Sequence, residues 1–127
     1  MNGCQTTELT RELLAQFKGT TFFYPHRAQH FLYTEGVCCL VEKGCAGWLL
    51  DAIASYQPSL QQDSYLRHCQ RWQLTVPPDR SAKLMCAKGF INAAVVEKIA
   101  HTDFPLSELE LYLVDGILQL PTEYCCT

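Results

Sequence analysis

An Asp-Gly pair between two β-rich runs most constrains how this chain can fold. Residues 109–114 read LELYLV, Asp115 and Gly116 follow, and residues 117–120 read ILQL. A type I′ turn requires positive φ at both central residues, and Asp-Gly adopts these angles at low cost. The stretch therefore predicts an antiparallel hairpin, and Pro121 predicts the end of its second strand.

The residues before this hairpin also show strand signals. Apolar and polar residues alternate over 72–76, which predicts a strand buried on one face. The Pro-Pro-Asp sequence at 77–79 predicts a turn, and residues 84–86 predict the return strand. Residues 95–100 are a third strand candidate, although the surrounding sequence AAVVEKIA also suits a helix. Ser107 could cap a single helical turn.

The first half of the chain has a helical period instead. Apolar residues recur at three- and four-residue steps over 9–17, with Thr6 or Thr7 as the cap and Gly19 as the stop. The Thr- and aromatic-rich segment that follows suggests extended structure, which Pro25 interrupts.

Two further helices are predicted in the middle of the chain. Thr34 caps the first helix, which runs to Lys43 and stops at Gly44. The second covers residues 47–57 and ends there, because Pro58 disfavours helical geometry in the residue before it. A short connection between two apolar helices predicts an αα-hairpin.

These elements together predict an α+β fold, with N-terminal helices packed on one face of a mostly antiparallel sheet of about five strands. A chain of 127 residues has the usual length of one domain. We therefore expect a single domain over residues 1–127, with loosely held ends near 1–5 and 123–127.

Composition and charge disfavour several functional classes. The net charge is −3 and the ten basic residues form no run, whereas nucleic-acid surfaces need clustered positive charge. The N-terminal residues resemble no signal peptide, and no stretch of eighteen apolar residues could span a membrane. We expect a cytoplasmic protein whose eight cysteines serve mostly as small core residues rather than disulfides.

Several sequence blocks, in one order, resemble a family of small bacterial proteins, including cyanobacterial ones, of unknown function. The resemblance covers about residues 9–124 and implies a stand-alone cytosolic domain without assigned activity or catalytic residues. The blocks are FKGT at 17–20, LYTEGV at 32–37, WLLDAIAS at 48–55, the alternating strand at 72–76, TDFPL at 102–106 and DGILQLPTEY at 115–124.

Asp51 is the single charged residue of the apolar helix predicted at 47–57. On a helix it shares a narrow stripe with Gly47 and Ser55. One interpretation is a carboxylate that lines a groove and binds a donor from a ligand or a second chain. The other, which we favour, is a solvated stripe or a hydrogen bond to the backbone of an adjoining loop.

Imidazole and thiol groups give weaker patterns. His26 and His30 have a spacing that suits zinc on a helix, but no Cys-x-x-Cys motif accompanies them. We therefore expect no metal site and no cofactor. Cys38 or Cys45 could form a nucleophile pair with either histidine only if the fold brings them together. His101 precedes Thr102 and Asp103, and a histidine near a carboxylate could form a proton-transfer pair. The interpretation that we favour is a turn in which the Thr and Asp side chains hydrogen-bond to the backbone.

Aromatic residues are concentrated between positions 22 and 33. Tyr24, Phe31, Tyr33 and, from the predicted helix, Trp48 are candidates for a ligand or partner surface. The preferred hypothesis is a non-enzymatic protein that acts by protein–protein contact or self-association. The strand predicted at 117–120 could add a free edge for pairing.

The alternative is a small enzyme or ligand-binding domain with its site between the helical hairpin and the sheet. Asp51, Trp48, Cys45 and either His26 or His30 would supply the polar and aromatic groups of that site. Convergence of at least two of these polar side chains in a concave pocket would distinguish this hypothesis from the first.

Overall fold

The computed structural model describes residues 10–14, 16, 23–26, 30–88 and 92–123, and these contain three helices and seven strands. The helices are α1 (Arg11–Leu14), α2 (Glu35–Gly44) and α3 (Gly47–Leu60). The strands are β1 (Tyr24–Pro25), β2 (Leu32–Tyr33), β3 (Cys69–Thr75), β4 (Ala82–Lys88), β5 (Asn92–Ile99), β6 (Glu108–Val114) and β7 (Ile117–Gln119). No helix among these residues is both long and apolar enough to span a membrane.

All seven strands form one sheet in the order β1-β2-β7-β6-β3-β4-β5. Only the β2–β7 pair is parallel, so the predicted α+β class with a mostly antiparallel sheet is confirmed. The predicted number of about five strands is wrong, because the described residues form seven. The prediction that all helices precede the sheet along the chain is also wrong. The aromatic segment forms β1 and β2 between α1 and α2, and Pro25 is tolerated because β1 is an edge strand.

The β6–β7 hairpin has the predicted turn. Asp115 and Gly116 have φ values of 50° and 84°, as a type I′ turn requires. However, β7 lies between β6 and β2 instead of at an edge. The idea that residues 117–120 offer a free edge for pairing is therefore wrong, because the β1–β2 hairpin occupies that edge.

Strands β3, β4 and β5 form an antiparallel meander. The alternation over 72–76 is confirmed, and residues 92–99 form a strand, which decides between the two structures predicted for 95–100. The helical turn predicted after Ser107 is absent from the described chain, because the Ser107 carbonyl accepts a hydrogen bond from the Val76 N–H at 2.7 Å and β6 begins at the next residue.

The two helices predicted in the middle of the chain are confirmed by α2 and α3, which are joined by Cys45 and Ala46. We call this pair the helical hairpin. The Thr34 hydroxyl caps α2 by accepting from the Val37 N–H at 3.2 Å. At the other end, Gly44 is still helical and Cys45 takes the left-handed conformation, so the predicted stop is one residue early. The predicted end of α3 is also wrong, because Pro58 lies inside its last turn and buried Leu60 keeps the helix on the core.

The first helix is described only in part. The predicted caps Thr6 and Thr7 and the stop Gly19 lie outside the described residues. Within them, the Thr10 hydroxyl accepts from the Leu13 N–H at 3.1 Å, which is the contact of an N-cap.

A buried amide pair joins α3 to the sheet. Gln57 and Gln70 donate to each other's side-chain carbonyl at 2.9 and 2.8 Å, and the Trp72 indole N–H donates to Gln70 Oε1 at 2.8 Å. The rings of Tyr56 and Trp72 are in contact at a centroid distance of 6.0 Å. These contacts hold α3 against the buried face of β3.

The chain end near Glu123 is also anchored. The Glu123 carboxylate is buried and accepts from the Thr34 hydroxyl at 2.6 Å and from the Leu120 N–H at 3.0 Å. It also accepts from the Gly36 N–H at 3.3 Å, at the N-terminus of α2 where negative charge is stabilising. Residues 1–9 and 124–127 lie outside the described parts of the chain.

Candidate functional site

A cavity of about 670 Å³ lies between the α2–α3 junction and the end of β5. We call it the hairpin pocket. Its described lining residues come from the helical hairpin on one side and from β5 and the following segment on the other. They are Gly44, Cys45, Trp48, Asp51 and Ala52, and Glu97, Ile99, His101, Thr102, Asp103 and Phe104.

The helical wall follows from the helix period. Trp48, Asp51 and Ala52 are three and four residues apart, so they share one face of α3. Cys45 joins this wall from the connection, where its positive φ of 52° turns the chain from α2 towards α3. The helices thus place an indole, a thiol and a carboxylate along one side of the pocket.

The sheet wall follows from strand alternation. In β5, Glu97 and Ile99 point to the same face as the buried partners of that strand, since Glu97 pairs with Leu84 and Ile99 with Ala82. The Tyr56 hydroxyl donates to Glu97 Oε1 at 2.5 Å. This hydrogen bond, together with burial, raises the pKa of Tyr56 above its ordinary value, because removal of the proton would place two negative charges side by side.

The floor of the pocket is held by Arg80, which has a positive φ of 68°. Its guanidinium donates to the carbonyls of Thr102 and Phe104 at 3.1 and 2.5 Å, and its own carbonyl accepts from the Thr102 N–H at 2.9 Å. Charge-assisted bonds to two carbonyls fix the backbone of this segment. Arg80 therefore acts as a positioning residue for the lining residues at 102–104.

The His-Thr-Asp sequence makes both of the side-chain contacts on which its two interpretations depend. The Thr102 hydroxyl accepts from the Phe104 N–H at 3.2 Å, as expected for a side chain that caps a turn. His101 Nε2 also lies 3.2 Å from Asp103 Oδ1, although both side chains are exposed. An exposed pair of this kind contributes little stability, so of these two contacts the Thr102 cap contributes more to the turn.

Asp51 contacts His26, another residue singled out in the sequence. The Nε2–H of His26 donates to Asp51 Oδ1 at 2.9 Å, and their side chains are 6% and 41% exposed. Asp51 is therefore neither deeply buried nor a purely solvated residue, and an imidazole is one of its partners. The His26 ring also contacts Phe31, at a centroid distance of 5.0 Å.

A second, smaller groove of about 280 Å³ lies on the other side of Asp51. Asp51 borders both cavities, and the His26–Asp51 pair lies in the wall of this second groove. Its lining residues are Pro25, His26, Tyr33, Val41, Gly47, Leu50 and Asp51. The carboxylate can thus orient the imidazole while it still borders the hairpin pocket.

The other predicted site residues are dispersed. His30 is exposed in the β1–β2 connection, and Phe31 is buried in the core, which removes it from any surface. Tyr24 is partly exposed and stacks on half-buried Tyr33 at a centroid distance of 5.7 Å. Among the described residues, no three His, Cys, Asp or Glu side chains are grouped so that they could hold a metal ion.

Two thiols of α2 have the properties of structural cysteines. Burial is the main cause that raises the pKa of Cys38 and Cys39, and the nearby Glu42 carboxylate adds to it. Both groups are therefore protonated at neutral pH and weak as nucleophiles. Asp51 holds the His26 imidazole in one orientation, and the imidazole of this pair faces the second groove rather than the hairpin pocket.

Sequence reasoning missed Glu97, Arg80 and Phe104. A signal for Glu97 was present, because in the strand interpretation it alternates with Val95 and Ile99 on one apolar face, where a carboxylate is unusual. Arg80 gave no comparable signal, since its role depends on a contact with a segment more than twenty residues away.

A family model described as a family of unknown function (DUF6876) matches residues 8–124 of the chain. No curated protein and no solved structure shows significant similarity to it.

Proposed function

We propose that this chain, which belongs to the family of unknown function DUF6876, is a ligand-binding domain whose hairpin pocket holds a small organic molecule. The observation that carries the proposal is the pocket itself, a cavity of about 670 Å³ between the helical hairpin and the sheet. Sites for small molecules have volumes of roughly 300 to 1,000 Å³. We also propose, from the sequence, that the protein is bacterial and cytoplasmic.

The lining has the composition of a ligand site. Trp48, Ile99 and Phe104 provide apolar walls, and the polar groups are few and spaced around them. Apolar walls supply the driving force for binding, and a small number of polar groups fixes the ligand's orientation. No activated nucleophile is evident among the described lining residues, so binding is favoured over catalysis.

The proposal is tested by filling the pocket. Ala52→Leu adds a larger side chain to the helical wall, whereas Ser55→Leu adds the same side chain at an exposed position of α3 outside the lining. A fragment library is screened by two-dimensional NMR, with the Trp48 indole signal as the reporter and that of buried Trp72 as the internal reference.

Fragments that bind in the pocket shift the Trp48 signal in the parent and in Ser55→Leu, and they lose this effect in Ala52→Leu. Thermal unfolding curves of both variants serve as the control that they remain folded. The proposal fails if no fragment perturbs the pocket, or if the filled variant binds as well as the parent.

A second candidate function is protein–protein contact or self-association. Pro25, Leu32, Ile117 and Val114 lie side by side across four strands, on the sheet face opposite α3. We call them the apolar row. Leu32 is 40% exposed, and Phe23 beside the row is exposed as well. Contiguous exposed apolar side chains are typical of association sites.

Sedimentation velocity over a wide concentration range tests this candidate. Leu32→Thr together with Ile117→Thr should abolish any concentration-dependent association. Val96→Thr is the control, because Val96 is 53% exposed on the same face but outside the row. A parent protein that stays monomeric at all concentrations argues against self-association. Contact with other proteins is then tested by a pull-down, with the Leu32→Thr, Ile117→Thr double variant as the control.

A further inference from the structure

Three carboxylates line the hairpin pocket. They belong to Asp51, Glu97 and Asp103, and no Lys or Arg is among the described lining residues. The rest of the chain has ten basic residues, so this one-sided composition is local. A cleft lined by charges of one sign raises the local concentration of ligands of the opposite sign. The Arg80 guanidinium, which holds the segment at 102–104, is not among the lining residues and donates to the carbonyls of Thr102 and Phe104.

All three carboxylates have described hydrogen bonds, and Asp51 accepts its bond from His26. Glu97 accepts from the Tyr56 hydroxyl, a neutral donor, and Asp103 lies beside the His101 imidazole. An ionised carboxylate offers about four acceptor positions. Glu97 and Asp103 can therefore accept from a bound cation without losing the contacts that position them.

Trp48 adds an aromatic group to the same wall. Its side chain is half-buried and lines the pocket, one helical turn from Asp51. An indole attracts a cation placed over its face, and ammonium groups are commonly recognised by aromatic side chains together with carboxylates. Ile99 and Phe104 complete apolar walls that suit a hydrocarbon body.

A bare metal ion does not fit the same observations. The carboxylates are distributed around a cavity of about 670 Å³, and the described residues contain no group of three ligands close enough to hold an ion. A cation that fills such a volume carries an organic body. Its source is either a free small molecule or a Lys or Arg side chain of another macromolecule.

We infer that the hairpin pocket selects an organic cation, an ammonium or guanidinium group on an apolar body, and this inference rests on the proposed ligand-binding function. Selectivity follows from Glu97 and Asp103 on the sheet side and from Trp48 on the helical side. The charge determines which ligands enter, and the apolar walls determine how tightly they bind.

The test compares three probes with similar bodies and different charges at neutral pH. They are 2-phenylethylamine, 2-phenylethanol and phenylacetate, each titrated against the full chain while the Trp48 indole signal is followed. A second arm compares acetyl-Gly-Lys-Gly-amide with its norleucine analogue, which separates a free cation from a lysine side chain in a peptide. The variants are Glu97→Gln and Asp103→Asn, with Glu108→Gln as the matched control outside the pocket.

The amine should bind more tightly than the alcohol, and phenylacetate most weakly. Glu97→Gln should weaken amine binding by about tenfold, since it removes an opposite charge from a half-buried position. Asp103→Asn should weaken it less, because the Asp103 side chain is 87% exposed and water screens its charge. Glu108→Gln should change amine binding by less than about twofold. Preference for the lysine peptide over the norleucine peptide supports the same selectivity for a macromolecular source.

Two results would overturn the inference and differ in what they imply. If the alcohol or phenylacetate binds at Trp48 as tightly as the amine, the pocket binds ligands but does not select cations. If no probe and no library fragment perturbs Trp48, the ligand-binding function itself fails and the inference fails with it.

Discussion

Replacing Gln70 with Leu should destabilise the protein strongly, because Gln70 is the centre of a fully satisfied buried network. Its side chain is 1% exposed, and it makes four hydrogen bonds. Oε1 accepts from Gln57 and Trp72, and Nε2 donates to the side chain of Gln57 and to the Leu66 carbonyl at 3.0 Å. A side-chain amide has two donor hydrogens and two acceptor lone pairs, so none is left unused.

Leucine at position 70 leaves four buried groups without a partner. They are the Trp72 indole N–H, one N–H and one lone pair of Gln57, and the Leu66 carbonyl. An unsatisfied buried polar group costs about 1 to 3 kcal/mol. Gln57 keeps its bonds to the Ile53 carbonyl and to Gln61, which limits the loss. We expect the free energy of unfolding to fall by roughly 3 to 5 kcal/mol.

The double variant separates this mechanism from simple loss of packing. Gln57→Leu alone should cost about 2 kcal/mol, since Gln70 retains its bonds to Trp72 and Leu66. With both residues replaced by Leu, the cost should be no greater than that of Gln70→Leu alone, because Gln57 no longer presents unpaired groups. Urea unfolding gives the free energy of unfolding of all three variants, which can be compared if their m-values are equal. Additive costs in the double-mutant cycle would refute the argument.

Three further predictions concern other parts of the fold. Glu123→Gln should lower the free energy of unfolding by about 1 kcal/mol, because a carboxylate at the N-terminus of α2 loses its charge, and chemical unfolding measures this. Gly47→Ala should stabilise α3 by about 0.5 to 1 kcal/mol, since a Cβ there meets nothing within 4 Å. In contrast, Gly36→Ala should destabilise, since its Cβ would lie 2.6 Å from Glu123 Oε1, and equal effects of the two substitutions would contradict this. Burial raises the pKa of Cys86 from 9.0 to about 12. The folded thiol thus keeps a proton that the unfolded chain releases, so its contribution is complete below pH 9 and should decline by about 1.4 kcal/mol per pH unit between 9 and 12. Cys86→Ala should show a shallower decline in alkaline unfolding curves.

Local sequence signals predicted most elements correctly. Asp115 and Gly116 specify the turn through their own backbone angles, and Thr34 caps α2 through a contact three residues away. Where prediction failed, a distant contact overrode a local preference. Pro58 disfavours a helix at Gln57, but the buried bonds of Gln57 to Gln70 stabilise the helical turn.

The candidate site was predictable only in part. Trp48, Asp51 and Cys45 were singled out from the helical hairpin, and the structure places all three in the pocket lining. The His26–Asp51 contact could be named only as one possibility among several. On the opposite wall, His101, Thr102 and Asp103 were singled out only as a turn or a proton-transfer pair. Glu97 was not singled out, because it lies in a strand candidate whose sequence also suits a helix.

By itself, the sequence determined the elements whose signals lie within a few residues: the β6–β7 hairpin, the helices α2 and α3, and the alternating strand β3. Turn angles, helix caps and apolar periods are local properties of the chain. Only the tertiary structure decided that β2 pairs in parallel with β7, that Glu123 binds the N-terminus of α2 and that Glu97 faces the helical hairpin. These contacts join residues that are distant along the chain. Their free energy depends on burial and on the exact fit of the assembled core, which no local pattern encodes.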